Sequence, residues 1–153
     1  MTRTTARQLA LQLCFAANAG SDLSPEEFLS EEYFSSLPGD EALFSELPDD
    51  EQREYICRLV NGVRERVEEL DGYVARYSQR WKVSRISRTA LNVLRCAIYE
   101  LLYMPEIPPA AAINEAVELA KSYDEPETVS FINGILGSVV RAGEASVDDG
   151  QTK

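Results

Sequence analysis

The chain contains no histidine. That absence excludes imidazole-based catalytic triads, most zinc sites and the histidine-containing di-iron pattern. Cysteine is scarce. Cys14, Cys57 and Cys96 are odd in number and far apart, which suits reduced, buried thiols rather than a disulfide framework. No apolar run approaches the roughly 20 residues that span a bilayer, so no membrane partner is expected. The N-terminus lacks the charged-then-apolar pattern of a secretory signal, and a cytoplasmic location is the expectation. Neither a glycine-rich phosphate loop nor a serine-centred elbow occurs. Glu115 and Glu118 share a helical stretch, but two carboxylates without further ligand types read as surface or capping groups. No catalytic residue, cofactor or metal is expected.

What is present is a chain of 153 residues, 44% of them hydrophobic. That is enough for one compact domain or two small bundles. The formal net charge of −11 argues at first against a nucleic-acid partner. A field, however, depends on where the charges lie. Residues 22–54 hold twelve carboxylates and one base, Arg53, which accounts for the whole excess. The acidic segment is expected to face away from any RNA, since like charges oppose approach. Residues 1–21 carry Arg3 and Arg7 and no acid. Residues 76–95 carry Arg76, Arg80, Lys82, Arg85, Arg88 and Arg95, again without an acid, with Tyr77 and Trp81 interleaved. A basic stretch with aromatics can hold phosphates and stack bases. It can equally be a solvated helix face with its aromatics packed inward. The residues alone leave both readings open.

Helical periodicity dominates and no segment alternates like a strand. A first helix is predicted over about 4–19, stopped by Gly20. Ser24 caps a second over about 25–36, with Pro25 at the first helical position. Residues 37–49 read as loop, with a helical turn around 42–47. Asp49 or Asp50 caps a long helix to about Trp81, and Gly62 and Gly72 are candidate kinks. Ser87 caps the next helix, about 88–103. An alanine-rich helix follows over about 109–123, with Ala112, Ala116 and Ala120 in a slim row that suits close helix contact. Asp124 and Glu127 have capping-box spacing before a last helix to about Ala142. The stretch 143–153 reads as a disordered tail. The expected fold is all-α, with two packed small helical bundles of six to seven helices. An N-terminal helical subdomain is expected over 1–81 and a C-terminal one over 82–142.

Three strings in the C-terminal half are specific in order and spacing. Leu94-Arg95-Cys96-Ala97-Ile98-Tyr99-Glu100-Leu101 resembles the "LR-x-A-x-YEL" helix of the NusB family. Ala112-Ile113-Asn114-Glu115-Ala116-Val117-Glu118-Leu119-Ala120-Lys121 is similar to its "AINEAIELAK", and Phe131-Ile132-Asn133-Gly134-Ile135-Leu136 to its "FVNGVL". Leu70-Asp71-Gly72 and the run from Arg7 to Phe15 also resemble the family in outline. The likeness covers about residues 3–142 and is weakest between 20 and 50.

The resemblance implies a non-enzymatic transcription antitermination factor. It implies binding to the boxA element of ribosomal RNA transcripts together with NusE, a small-subunit ribosomal protein, within an RNA polymerase antitermination complex. The RNA-binding candidates are Arg3, Arg7, Tyr77, Arg80, Lys121, Tyr123 and Asn133. Asn133 could instead satisfy a buried backbone group. The partner-binding candidates are Arg85, Arg88 and Glu100. Two departures stand out. Only Arg3 and Arg7 represent the family's arginine-rich arm, and Ala90-Leu91 stands where the family often has an acidic then a basic residue. A rival reading is a protein–protein adaptor or homodimer of the same fold with weak or no RNA binding. A third is a helper subunit in ribosomal RNA processing or methylation.

Overall fold

The structure is a computed structural model that describes residues 1–18, 24–29, 48–78, 82 and 85–144. Those residues form seven α-helices and no strand. Compactness divides the chain into two units, Met1–Glu65 and Arg66–Lys153. This division precedes the expected one at 81/82 because the long predicted helix is interrupted at Arg66.

The first unit contains α1 (Arg3–Asn18), α2 (Pro25–Phe28) and α3 (Asp50–Glu65). Each starts on a local cap. The Thr5 amide donates to Thr2 Oγ1 at 3.0 Å. Ser24 Oγ accepts from the Glu27 amide at 3.1 Å, and Pro25 sits in the first turn, where a missing N–H is harmless. Asp49 and Gln52 cap α3 reciprocally: each side-chain oxygen accepts from the other's amide, at 2.8 and 3.0 Å. Helix α1 packs along α3, and α2 packs on α3 as well. Leu9, Ala10, Leu13 and Cys14 are buried on α1, and Ile56, Leu59, Val60 and Val63 on α3. Arg53 fastens the short helix. Its guanidinium donates to the carbonyls of Leu29 and Glu26, at 2.8 and 3.4 Å. The predicted extension of the second helix to Ser36 and the turn at 42–47 lie outside the described residues.

The second unit contains α4 (Val67–Tyr77), α5 (Arg88–Tyr103), α6 (Pro109–Lys121) and α7 (Pro126–Arg141). Helix α5 touches each of the other three. It is buried on nearly every side from Ala90 to Leu101, including the polar Asn92, Arg95 and Glu100. A helix apolar almost all round belongs in the middle of its bundle. Ser87 caps it by accepting from the Ala90 amide at 3.1 Å. The alanine row of α6 is buried at Ala112, Ala116 and Ala120, so the slim face does meet other helices.

Two local expectations are corrected. The break in the long helix falls at Arg66, outside helical geometry at φ −125° and ψ 24°. It does not fall at Gly62 or Gly72, which stay helical. The last helix is capped at Glu125, without a side-chain hydrogen bond, and has Pro126 in its first turn. Asp124 therefore lies one residue too early for the expected capping box and is used elsewhere.

Candidate nucleic-acid interface

In the first unit the two arm arginines lie on one aromatic ring. The guanidinium carbons of Arg3 and Arg7 stand 6.0 and 5.6 Å from the centre of the Tyr55 ring. Both are at cation–π distance, a contact worth about 0.5–1 kcal/mol at a wet site. Their exposure differs. Arg3 is exposed, whereas Arg7 is only 5% exposed. Arg3 can meet a phosphate. Arg7 is part of the packing between α1 and α3, which corrects its expected surface role. Tyr55 also follows the exposed Asp50, Glu51 and Glu54 on α3, and the Gln52 amide group donates to the Met1 carbonyl. The arm thus lies beside the acidic start of α3, not on a face separate from it. Most of the acidic segment, 30–47, is outside the described residues.

In the second unit one contact gathers several predicted residues. The Ser87 hydroxyl hydrogen-bonds the Asp124 carboxylate, joining the start of α5 to the turn after α6. Arg85 and Arg88 flank Ser87 and are exposed; Lys121 and Tyr123 lead up to Asp124 and are exposed too. Tyr123, at 47%, is one of two large hydrophobic residues so open among the described residues, the other being Phe15 at 38%. An exposed aromatic, two arginines and a lysine are the residue types that stack a base and hold its phosphates. Lys121 donates to Glu118 Oε2 at 2.7 Å. Both groups are well exposed, so this pair contributes little and is readily exchanged. Asp124 Oδ2 is buried and lacks a hydrogen-bond partner among the described residues. Burial pushes the Asp124 carboxyl above its ordinary value, and the Ser87 hydrogen bond pulls the other way.

The remaining predicted residues are dispersed. Asn133 is exposed on α7, so it does not satisfy a buried backbone group. Tyr77, half-buried at the end of α4, donates its hydroxyl to Glu144. Glu100 is 2% exposed, which corrects its expected place on a partner surface: a carboxylate so enclosed serves the core of α5. Arg80 lies outside the described residues. Arg76, to which the sequence pattern assigns no individual role, shares Glu144 with Tyr77. Only its membership of the acid-free stretch could have drawn attention to it. Among the described residues, no group of acidic residues and cysteines could hold a metal ion, and no helix is long and apolar enough to cross a membrane.

The NusB family model matches residues 4–141. The chain belongs to the NusB family. A transcription antitermination protein NusB from Acetivibrio thermocellus is 39% identical and covers 100% of this chain and 98% of its own length. Its counterpart from Carboxydothermus hydrogenoformans is 40% identical over 91% of this chain and 92% of its own. The solved structure of T. maritima NusB superposes with a TM-score of 0.73 at 30% identity, covering 92% of each chain. The all-α fold and the family are thus as the three C-terminal strings imply. This chain is a member of a family of transcription antitermination factors.

Proposed function

We propose that the chain acts in transcription antitermination by binding a boxA-like element of ribosomal RNA transcripts together with the ribosomal protein NusE. The bound pair then joins an RNA polymerase antitermination complex. The observation that carries this reading is the match to the NusB family over residues 4–141. The exposed set of Arg85, Arg88, Lys121 and Tyr123 around the Ser87–Asp124 contact supports it chemically. The arginines and the lysine neutralise phosphates, and the tyrosine ring offers a stacking face. Arg3 adds one phosphate contact, and Asn133 offers an amide to a base edge. The protein works by binding and positioning, without chemistry on the RNA.

The burial of Arg7 favours a second reading, an adaptor or homodimer of the same fold with weak RNA binding, because it halves the arginine arm. Reconstituted transcription separates the two. With polymerase, NusE and a template carrying a boxA-like leader before a terminator, the protein is expected to raise read-through. Mutating the boxA-like element should abolish the increase. Equal read-through on both templates would rule out RNA-directed action.

A further inference from the structure

We propose that Arg76 and Tyr77 form a phosphate-binding site for RNA, and that Glu144 of the same chain fills it in the free protein. This rests on the RNA-binding reading above. Arg76 and Tyr77 are consecutive at the end of α4, and Glu144 follows α7, far along the chain. Arg76 Nη1 donates to Glu144 Oε1 at 2.5 Å, and the Tyr77 hydroxyl donates to Oε2. Both oxygens of one carboxylate are therefore engaged by two donors from one helix end. The Arg76 guanidinium also lies over the Tyr73 ring, 5.0 Å from its centre, which braces it one turn back. A phosphodiester presents the same motif as this carboxylate: two oxygens sharing one negative charge.

The stretch 76–95 has no acid of its own. The carboxylate that meets it at Arg76 comes from beyond α7. A helix C-terminus repels anions, so the Glu144 carboxylate sits there because the guanidinium and the phenol engage it, while its backbone amide donates to the Val139 carbonyl at 3.2 Å. Both groups are kept in their donor forms. The Tyr77 hydrogen bond first, and the Glu144 charge second, push Arg76 up; the Glu144 hydrogen bond pushes Tyr77 up. The Arg76 side chain is 57% exposed, so an incoming phosphate can reach it. An exposed ion pair is weak and screened by salt, so the exchange costs little. Lys82 and Arg85, both exposed, continue the basic run beyond the site. Glu144 thus acts as an internal competitor that lowers affinity for RNA until a phosphate displaces it.

The test uses the full chain and a fluorescent boxA-like RNA, titrated across a series of salt concentrations. Glu144→Gln and Glu144→Ala are each expected to bind about two- to fivefold more tightly, the span of an exposed ion pair. The salt slope should steepen by about 0.7, one added phosphate contact on a single strand. Adding Arg76→Ala to either variant should remove the gain. Glu68→Ala, which deletes one exposed charge elsewhere on α4, controls for net charge and should change affinity less than about twofold. If the alanine variant melts early, the isosteric glutamine variant carries the comparison. Wild-type binding with no gain in Glu144→Gln, or a gain that survives Arg76→Ala, overturns the site alone. No binding by any form overturns both the site and the RNA reading.

Discussion

Arg95 and Asp71 close a two-point ion pair between α5 and α4, with Nε to Oδ1 at 2.7 Å and Nη2 to Oδ2 at 2.8 Å. The Arg95 side chain is 7% exposed and that of Asp71 26%. The fork geometry fits a carboxylate in a way lysine cannot. The pair joins two stretches that each resemble the NusB pattern, Leu70-Asp71-Gly72 and Leu94-Arg95.

Asp71→Ala is expected to destabilise the protein by about 2–4 kcal/mol, because a buried guanidinium loses its carboxylate. Arg95→Lys should recover little, since an ammonium cannot bridge both oxygens. Urea unfolding monitored by circular dichroism measures both. A midpoint unchanged in Asp71→Ala would assign the cohesion of α4 and α5 to apolar packing alone.

The two arm arginines should part company under mutation. Arg3→Ala leaves stability within about 0.5 kcal/mol, as for an ordinary surface site. It should flatten the salt slope of RNA binding by about 0.7. Arg7→Ala should instead lower the unfolding midpoint by about 1–2 kcal/mol, through lost packing of its stem and its contact with Tyr55. Equal stability of the two variants would contradict the burial of Arg7.

Asp124 supplies a pH test. Its carboxyl is held above the ordinary value, chiefly by burial. A raised folded value favours folding below the unfolded value of about 4 and loses that advantage as pH rises through the folded value. At pH 7 the charged form therefore weighs against folding. Asp124→Asn removes this, so its stability relative to the wild type should be more favourable at pH 7 than at pH 3. The opposite trend in paired melts would mean that the Ser87 hydrogen bond outweighs burial.

The alanine row of α6 carries a packing prediction. Ala116 is buried, and a leucine there cannot fit without moving a helix. Ala116→Leu should cost about 1–3 kcal/mol by overpacking. Full stability with loss of RNA or NusE binding would make the row an interface.

Much of the fold is legible in local sequence. Ser24, Asp49 and Ser87 announce helix starts because a cap needs only its own first turn. The features that escaped depend on residues distant in sequence. The break at Arg66 coincides with its guanidinium lying 4.5 Å from the centre of the Tyr103 ring, whose hydroxyl in turn donates to Glu69 at 2.7 Å. No periodicity encodes that cluster. Arg7 reads as a surface charge until Tyr55 is brought against it. Glu100 reads as an exposed member of a motif until α5 proves buried on nearly every side. The start of α7 was readable locally. Pro126 marks a first helical position and outranks the spacing of Asp124 and Glu127. The gathering of Arg85, Arg88, Lys121 and Tyr123 depends on the contact between Ser87 and Asp124, which only the folded chain makes.

The most direct test of the central claim is equilibrium binding of the purified protein to boxA-like and scrambled RNA, with and without NusE, across salt. The account predicts tighter binding to the boxA-like RNA, a further gain with NusE, and affinity that falls as salt rises. Equal affinity for the two RNAs in the presence of NusE, or no binding to either, would contradict it.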